Sequence, residues 1–284
     1  MSIKTDKLLI SSDFYSVQGE GISTGIPSYF VRLGICNLSC GMSKKYLNNL
    51  VKEKTLQDGE IIKGDLEESQ FGNGKATWTC DSVSQWAWRG EDKDFQYLID
   101  QWKEQGIYED IKNGTIHIIW TGGEPTIKGH QEAIVNFTNY LNEYDFKNEQ
   151  TGVTTFYEIE TNGTIVIEQP LFNLIDQINC SPKLSNSGMT VKQRIVPEAI
   201  ERIKQHTNYQ FKFVISTEDD IKEMFRDFVE PFNIPLKNVV CIPGLDSQTD
   251  FHERTQFVME MAKKYKFRGM SRMHISAWDK TLNV

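Results

Sequence analysis

The chain has 284 residues, of which 39% are hydrophobic and 25% charged, and this balance excludes the disordered and fibrous classes of protein. The formal net charge is −8 and no basic stripe offsets it, so we expect no nucleic-acid partner. No apolar run approaches the ~20 residues that span a bilayer, and the N-terminus lacks a secretion signal. These features predict a cytoplasmic protein without a membrane partner.

Strand-like runs alternate with helix-period stretches along the chain. The predicted strands cover residues 29–33, 115–120, 154–159, 210–215 and 239–242. The predicted helices cover residues 94–105, 130–143, 197–205, 218–228 and 250–265. This alternation predicts an α/β fold with a parallel sheet, either barrel-like or doubly wound.

No repeat or linker marks a domain boundary, so we expect one domain over residues 1–284. Residues 41–78 are the exception, because they are rich in Lys, Glu, Asn and Gly and show little periodicity. They are typical of a surface insertion inside a compact unit. A passive loop, a lid and a docking site for an electron donor are all open interpretations of this segment, and its composition favours the passive loop.

Five cysteines in an apparently cytosolic chain argue against a disulfide framework. Cys36 and Cys40 follow the strand 29–33 with the spacing C-x3-C, which begins the C-x3-C-x2-C motif of a [4Fe-4S] cluster with one open iron. Position 43 is Ser43, and the next thiol, Cys80, follows the insertion. Loop closure entropy grows only slowly with length, so a looped-out insertion would still let three thiols meet.

Two other interpretations of these thiols remain. Buried, inert cysteines would show the same short spacing. A structural zinc site would need a fourth protein ligand, and neither Cys180 nor Cys241 has a partner at ligand spacing.

Polar turns, two of which contain glycine, follow two of the predicted strands and one short apolar run. Gly122-Gly123-Glu124 follows the strand 115–120, Glu160-Thr161-Asn162-Gly163 follows the strand 154–159, and Ser181-Pro182-Lys183 follows a short apolar run. Each could be an ordinary turn. Their recurrence after successive strands favours a barrel-type active site, where such turns surround one mouth.

Together these motifs resemble the radical S-adenosylmethionine enzymes, and among them the 7-carboxy-7-deazaguanine synthase family. Further motifs that carry the resemblance are SVQGEG at 16–21, ahead of the first predicted strand, FVRL at 30–33, CDS at 80–82 and RMHI at 272–275. The resemblance implies a partial (β/α) barrel of the radical S-adenosylmethionine type with an insertion, 41–78, in the cluster-binding loop. It also implies a homodimer and an electron donor such as flavodoxin.

The implied reaction is the radical ring contraction of 6-carboxy-5,6,7,8-tetrahydropterin to 7-carboxy-7-deazaguanine with loss of ammonia, a carbon–nitrogen lyase step on the route to queuosine and other 7-deazapurines. The implied cofactors are a [4Fe-4S] cluster, S-adenosylmethionine and Mg2+. Whether the product feeds transfer RNA or DNA modification is not indicated by the residues.

The resemblance also implies roles for individual residues. The cluster would bind Cys36, Cys40 and Cys80, and Ser82 would hold Mg2+ through its hydroxyl, as a hard cation prefers. S-adenosylmethionine would bind Thr79, Cys80, Asp81, Gly122, Gly123, Glu124, Ser181, Pro182 and Lys183. The pterin would bind Val17, Gln18, Gly19, Arg32 and Thr121, and the catalytic groups would be Arg32, Glu20 and His274.

Two of these positions carry a further expectation. A planar guanidinium at Arg32 suits a substrate carboxylate. His274 is expected on a C-terminal strand, where a lone histidine is more often structural than catalytic.

Two alternative functions follow from the same motifs. A glycyl-radical activating enzyme shares the cluster and the Gly-Gly-Glu turn but acts on a protein, and so has no need of a small carboxylate site at Gln18, Glu20, Arg32 and Ser82. A cluster-free binding protein on the same fold would have lost the chemistry through the interrupted cysteine spacing.

Overall fold

A computed structural model describes residues 3–43, 47–48, 52, 76–78, 80–83, 87, 89–144, 154–244, 248–279 and 281. Most of the predicted insertion 41–78, and also Thr79, therefore lies outside the described residues. In the described part of the chain, no helix is both long and apolar enough to cross a membrane.

Nine strands form one sheet in the order β3-β1-β2-β4-β5-β6-β7-β8-β9. Their bounds are β1 Leu8–Val17, β2 Pro27–Leu33, β3 Glu91–Lys93, β4 His117–Gly122, β5 Tyr157–Thr161, β6 Gln177–Cys180, β7 Tyr209–Ile215, β8 Val239–Pro243 and β9 Arg268–Gly269. The seven neighbouring strands β2, β4, β5, β6, β7, β8 and β9 pair in parallel. β1 runs antiparallel to both β2 and β3. The sheet is open, which confirms the predicted α/β fold of the partial-barrel type.

The first strand of the structure was not among the predicted elements. β1 precedes the strand predicted at 29–33, so the motif 16–21 begins at the end of a strand and not ahead of the first one. The physical reason is that Ser11, Ser12 and Asp13 interrupt the apolar run, and the second half of the strand is only half-buried. Pairing with β2 on one side and β3 on the other supplies the backbone hydrogen bonds that hold it in place.

Nine α-helices lie among the described residues, and their bounds are α1 Phe95–Glu104, α2 Tyr108–Lys112, α3 Lys128–Tyr144, α4 Gln169–Phe172, α5 Val191–Arg194, α6 Pro197–Lys204, α7 Glu218–Met224, α8 Phe251–Tyr265 and α9 Met273–Trp278. All five predicted helices are confirmed. The one predicted at 218–228 changes into a π-helical turn, Phe225–Val229, after α7.

The expectation that His274 lies on a C-terminal strand is wrong, because this residue is in α9. The helix is held by backbone bonds of i to i−4 type, from Ser276 N to Arg272 O and from Asp279 N to Ile275 O. Its first residue also donates from Met273 N to Gly19 O at 3.0 Å, which ties the end of the chain to the loop after β1.

The two faces of the sheet differ in chemistry. Residues such as Tyr29 and Val31 of β2 and Phe211 and Phe213 of β7 join Trp102 and other helix side chains in one apolar core. Because side chains alternate along a strand, the neighbouring residues face the other side. This inner face carries a polar set on three strands, which we call the polar interior: Glu158, Glu160, Gln177, Asn179, Gln210 and Lys212.

Candidate active site

The loop after β2 lies directly against the glycine pair after β4. We call residues 34–43 the cysteine loop. Gly123 N donates to Leu33 O at 2.8 Å, and Glu124 N donates to Ile35 O at 3.0 Å. A Cβ atom on Gly123 would lie 1.9 Å from Ile35 O, and Gly122 has a φ of +107°. The two glycines are therefore required by this close approach of backbone to backbone.

The structure brings Cys80 back to the cysteine loop despite the long insertion before it. Cys80 N donates to Cys40 O at 3.2 Å. Cys36 and Cys80 both pack against two small apolar groups, one built around Cys40 and the other around Met42 and Val83. The three cysteines are therefore neighbours at the carboxyl end of β2, next to the turn after the parallel strand β4.

Cys36, Cys40 and Cys80 form no disulfide bond, and burial disfavours the ionised form of Cys36 and Cys40. Burial raises the pKa of Cys40 to about 12 even though Lys183 lowers it. Burial and the neighbouring Glu124 raise the pKa of Cys36 well above its usual range. A thiolate that is costly in the empty protein is stabilised by bound metal, because ligation replaces the proton with positive charge.

Within the described part of the chain, no group of three or more His, Cys, Asp or Glu side chains is arranged to hold a metal ion. A [4Fe-4S] cluster places different demands on its ligands, since each thiolate binds a different iron and the sulfurs stand apart. The donor set at this point, three cysteines of which two are partly exposed, fits a cluster in its chemistry.

Glu124 joins the turn after β4 to the turn after β5. Its carboxylate accepts hydrogen bonds from Thr126 N, Thr126 Oγ1, Thr161 Oγ1 and Asn162 N, at 2.6–3.0 Å. The side chain is fully buried, and burial raises the pKa of its carboxyl group. Its predicted contact with a methionine amino group stays a prediction.

The Ser-Pro-Lys turn after β6 lies beside the end of β5. Ser181 N donates to Thr161 O at 2.7 Å, and Lys183 Nζ donates to Ser181 Oγ at 3.1 Å. Pro182 is buried between them. Lys183 Nζ is also 5.9 Å from the centre of the Trp78 ring, so its charge lies close to the cysteines.

The residues next to Cys80 point in two directions. Ser82 Oγ is 3.6 Å from Cys80 Sγ. Asp81 is instead held by Arg272, whose Nη2 is 3.0 Å from Asp81 Oδ2. The Arg272 guanidinium holds the pKa of the Asp81 carboxyl below its usual value.

A network of buried charges lies between the polar interior and the loop after β1. Lys212 Nζ is 2.6 Å from Glu20 Oε2 and 3.7 Å from Glu160 Oε1. Arg272 Nε is 2.6 Å from the other oxygen of Glu20. Gln18 Nε2 and Thr121 Oγ1 donate to the two oxygens of Glu160 at 3.1 and 3.2 Å. Three predicted residues, Gln18, Glu20 and Thr121, therefore belong to one assembly.

Within this network the ion pairs outweigh the cost of burial. Burial opposes the ionised form of Glu20, yet Lys212 and Arg272 hold the pKa of Glu20 well below its usual range. Glu160 and Glu20 raise the pKa of Lys212 in the same way, and Glu20 and Asp81 raise that of Arg272. All three groups are charged at neutral pH, so the network is an array of fixed charges next to the thiols.

The remaining predicted residues surround this network. His274 Nε2 is 3.9 Å from Glu20, and burial lowers the pKa of His274. A Cβ atom on Gly19 would lie 2.4 Å from His274 Nδ1, which explains the glycine at that position. Val17 is the last residue of β1.

Arg32 lies beside the network in the sheet. It is in register with Thr121 on the neighbouring strand. Its guanidinium lies 4.7 Å from the centre of the Phe14 ring. At this distance the positive guanidinium is attracted to the face of the aromatic ring.

Lys212, Glu160 and Arg272 are central to this network, but none of them was among the predicted site residues. The signal that could have found two of them is the alternation on the buried strands: Glu158 and Glu160 flank Ile159, and Gln210 and Lys212 flank Phe211. Polar residues at every second position of central parallel strands indicate a polar interior, because such strands are otherwise apolar on both faces.

Three curated relatives, all named 7-carboxy-7-deazaguanine synthase, align with nearly the whole chain. The protein from Pyrobaculum aerophilum is 27% identical over 96% of this chain and 96% of its own length. The protein from Halobacterium salinarum is 25% identical over 96% and 91%, and the one from Aquifex aeolicus is 26% identical over 95% and 94%. No family model matches the sequence. The chain is similar to these synthases from end to end.

The fold is also similar to a solved structure. The crystal structure of QueE from Escherichia coli superposes with a TM-score of 0.54 and 19% identity, over 94% of this chain and 95% of that one. At this identity the likeness concerns the fold, and it agrees with the open, mostly parallel sheet described above.

Proposed function

We propose that this chain is a 7-carboxy-7-deazaguanine synthase, a radical S-adenosylmethionine lyase that converts 6-carboxy-5,6,7,8-tetrahydropterin to 7-carboxy-7-deazaguanine with loss of ammonia. The observation that supports it most is the return of Cys80 to the cysteine loop, with its backbone N–H 3.2 Å from Cys40 O, beside the buried charge network. The full-length similarity to synthases of this name agrees with it.

In this proposal Cys36, Cys40 and Cys80 hold the [4Fe-4S] cluster. When bound, the cluster supplies one electron to S-adenosylmethionine, which starts radical chemistry on the substrate. The chain itself provides three neighbouring thiols with Lys183 nearby, a positive charge that favours the thiolate form of Cys40.

S-adenosylmethionine would lie along the ends of β4 and β6. Gly122 and Gly123 let the backbone approach the cysteine loop. Ser181, Pro182 and Lys183 bring a hydroxyl, an apolar surface and a charge, and Glu124 fixes the two turns relative to each other. Asp81, held by Arg272, and Thr79 complete the predicted set, although Thr79 is outside the described residues.

The pterin would lie over the charge network. Val17, Gln18 and Gly19 come from the loop after β1, and Thr121 from the end of β4. Glu160 accepts from both Gln18 and Thr121, so it fixes the orientation of two predicted contacts before substrate arrives.

Arg32 would pair with the substrate carboxylate. Its planar fork suits that group, and the Phe14 ring restricts its orientation. Glu20 is ionised and held at both oxygens, and His274 lies beside it.

Mg2+ would bind at Ser82, whose hydroxyl is a hard oxygen donor. Mg2+ keeps several waters and accepts few protein ligands, so one serine hydroxyl is compatible with it. The neighbouring carboxylate, Asp81, is already paired with Arg272.

Four further points complete the proposal. We propose that the chain acts as a homodimer, works in the cytoplasm and receives electrons from a donor such as flavodoxin. We also propose one functional unit over 1–284 with 41–78 as an insertion in the cluster loop, in line with the single nine-stranded sheet.

The polar interior distinguishes the proposal from a glycyl-radical activating enzyme. A protein substrate presents an extended backbone, whereas the buried side chains of Gln18 and Lys212 place Nε2 and Nζ at 3.1 and 3.7 Å from the same oxygen of Glu160. Such convergent polar groups suit a small polar molecule.

The direct test is anaerobic turnover. Protein reconstituted with iron and sulfide is incubated with the carboxy-tetrahydropterin, S-adenosylmethionine, Mg2+ and dithionite, and the products are identified by mass spectrometry. We expect 7-carboxy-7-deazaguanine and 5′-deoxyadenosine. Protein with a full cluster that forms no deazaguanine product would overturn the proposal, and protein that never acquires a cluster would favour the cluster-free binding protein.

A further inference from the structure

The chain re-enters the described structure at Ala76, and the two residues that follow it bind one asparagine. Thr77 N donates to Asn186 O at 2.9 Å, and Trp78 Nε1 donates to Asn186 Oδ1 at 3.1 Å. The other end of the asparagine amide, Nδ2, donates to Asp220 Oδ1 at 3.1 Å. Asn186 is only 6% exposed, so its amide is largely removed from competing water.

Asn186 belongs to a segment, residues 184–190, that also contacts the cysteine loop where the insertion begins. Gly41 N donates to Ser187 O at 2.7 Å, and Met189 packs against Leu38 and Cys40. Both ends of the long insertion are therefore bound to the same few residues. We call residues 184–190 the docking segment.

The docking segment is itself fixed by charged side chains of α7, of the π-helical turn after it and of α5. Ser185 donates from both N and Oγ to Glu223. Glu223 and Asp227 in turn hold Arg194, at 2.8 and 2.6 Å. A segment anchored in this way is a rigid support for whatever binds to it.

A rigid support is needed because a long insertion separates Cys40 from Cys80. Closing such a loop costs chain entropy, and three thiols must stay in place for a cluster to persist. The bonds at Thr77 and Trp78 restrain the chain two and three residues before Cys80, so they reduce the freedom left to that thiol.

We propose that Asn186 is a positioning residue for Cys80: through Trp78 and Thr77 it fixes the returning end of the insertion so that the third thiol meets the other two. The inference rests on the proposed function only in taking Cys80 as a cluster ligand. It assigns no contact between Asn186 and the cluster, the cofactor or the substrate.

The test measures the cluster and not turnover. Wild type and Asn186→Ala are reconstituted anaerobically, and the rate of iron release to a chelator is followed by absorbance. We expect release about five-fold faster in the variant, the factor that corresponds to the loss of the hydrogen bond from Trp78 to Asn186 at ~1 kcal/mol. The matched control is Asn238→Ala, which removes a bond from Asn238 Nδ2 to Tyr209 O at the first residue of β7. This variant should release iron at the wild-type rate.

A second variant separates positioning from folding. Trp78→Phe keeps an aromatic ring but removes the indole N–H, and we expect a similar acceleration with unchanged circular dichroism and thermal midpoint. The double variant should release iron no faster than Asn186→Ala alone, because both changes break the same bond.

Equal release rates in wild type and Trp78→Phe would overturn the inference, whether or not Asn186→Ala folds. So would additive effects in the double variant. A fully loaded wild-type protein that forms no product would instead overturn the proposed function and leave this inference standing.

Discussion

The cysteine loop and the charge network lie side by side, yet they handle burial in opposite ways. In the network each buried charge has an opposite charge within 4 Å, as Glu20 has in Lys212 and Arg272. In the cysteine loop the thiols are buried among apolar side chains, and burial raises the pKa of Cys36 and Cys40. In the network the charged side chains compensate one another through ion pairs. The thiolates would instead be stabilised chiefly by the positive charge of a bound metal group.

This contrast predicts that the largest single effect comes from Cys80→Ala. With one of three thiols gone, we expect the protein to lose nearly all of its reconstituted iron while it keeps its fold. Iron and sulfide quantitation with circular dichroism would check this. Cys241→Ala is the control, since Cys241 is buried beside Met224 outside the site; iron retained at wild-type levels in Cys80→Ala would contradict the ligand assignment.

Removing the Lys212 cation from the network should lower the free energy of unfolding and leave the iron content unchanged. Lys212→Met leaves Glu20 and Glu160 without their shared partner, and breaking a buried pair destabilises a protein by about 3–5 kcal/mol. Urea denaturation would measure the loss. Lys263→Met breaks an exposed pair with Glu260 and should change stability by less than ~1 kcal/mol. Equal effects of the two variants would show that the buried network is not tightly coupled.

The boundary between the two regions can be tested at Gly123. Its missing Cβ would lie 1.9 Å from Ile35 O, so Gly123→Ala must push the cysteine loop away. We expect a loss of about 1–3 kcal/mol, typical of overpacking, together with a lower iron content. Gly106→Ala is a control without a neighbour within 4 Å, although its φ of +70° carries some strain of its own. Full iron content in Gly123→Ala would argue against this close approach.

A smaller effect depends on pH. His130 is buried with Nε2 2.7 Å from Gly34 O, and burial lowers its pKa from 6.5 to about 4. Between these values the unfolded chain binds a proton that the folded chain does not, so stability falls as pH drops from 6.5 towards 4.

His130→Gln keeps a donor for Gly34 O and removes the titration. Unfolding free energies at pH 7 and pH 5 should therefore differ by about 1–2 kcal/mol less in the variant than in wild type. Parallel pH curves for the two proteins would show that His130 does not titrate in this window.

Much of the fold could be predicted because its elements are locally encoded. Five helices and five central strands follow from apolar periodicity, and their observed bounds differ from the predicted ones by a few residues. β1 escaped because Ser11, Ser12 and Asp13 break its pattern and pairing on both sides holds it. His274 was placed on a strand because RMHI alone does not indicate a single short helix, which Met273 N anchors on Gly19.

The sequence by itself determined the kinds of group available: the spacing of Cys36 and Cys40, the glycine pair before Glu124 and the turns after successive strands. Only the tertiary structure decided which of them meet. It brought Cys80 to Cys40, held Trp78 on Asn186 and joined Lys212, Glu20 and Arg272 from three distant parts of the chain. The physical reason is that spacing along a chain specifies local geometry, whereas a buried contact between remote residues depends on how the whole sheet and its loops pack.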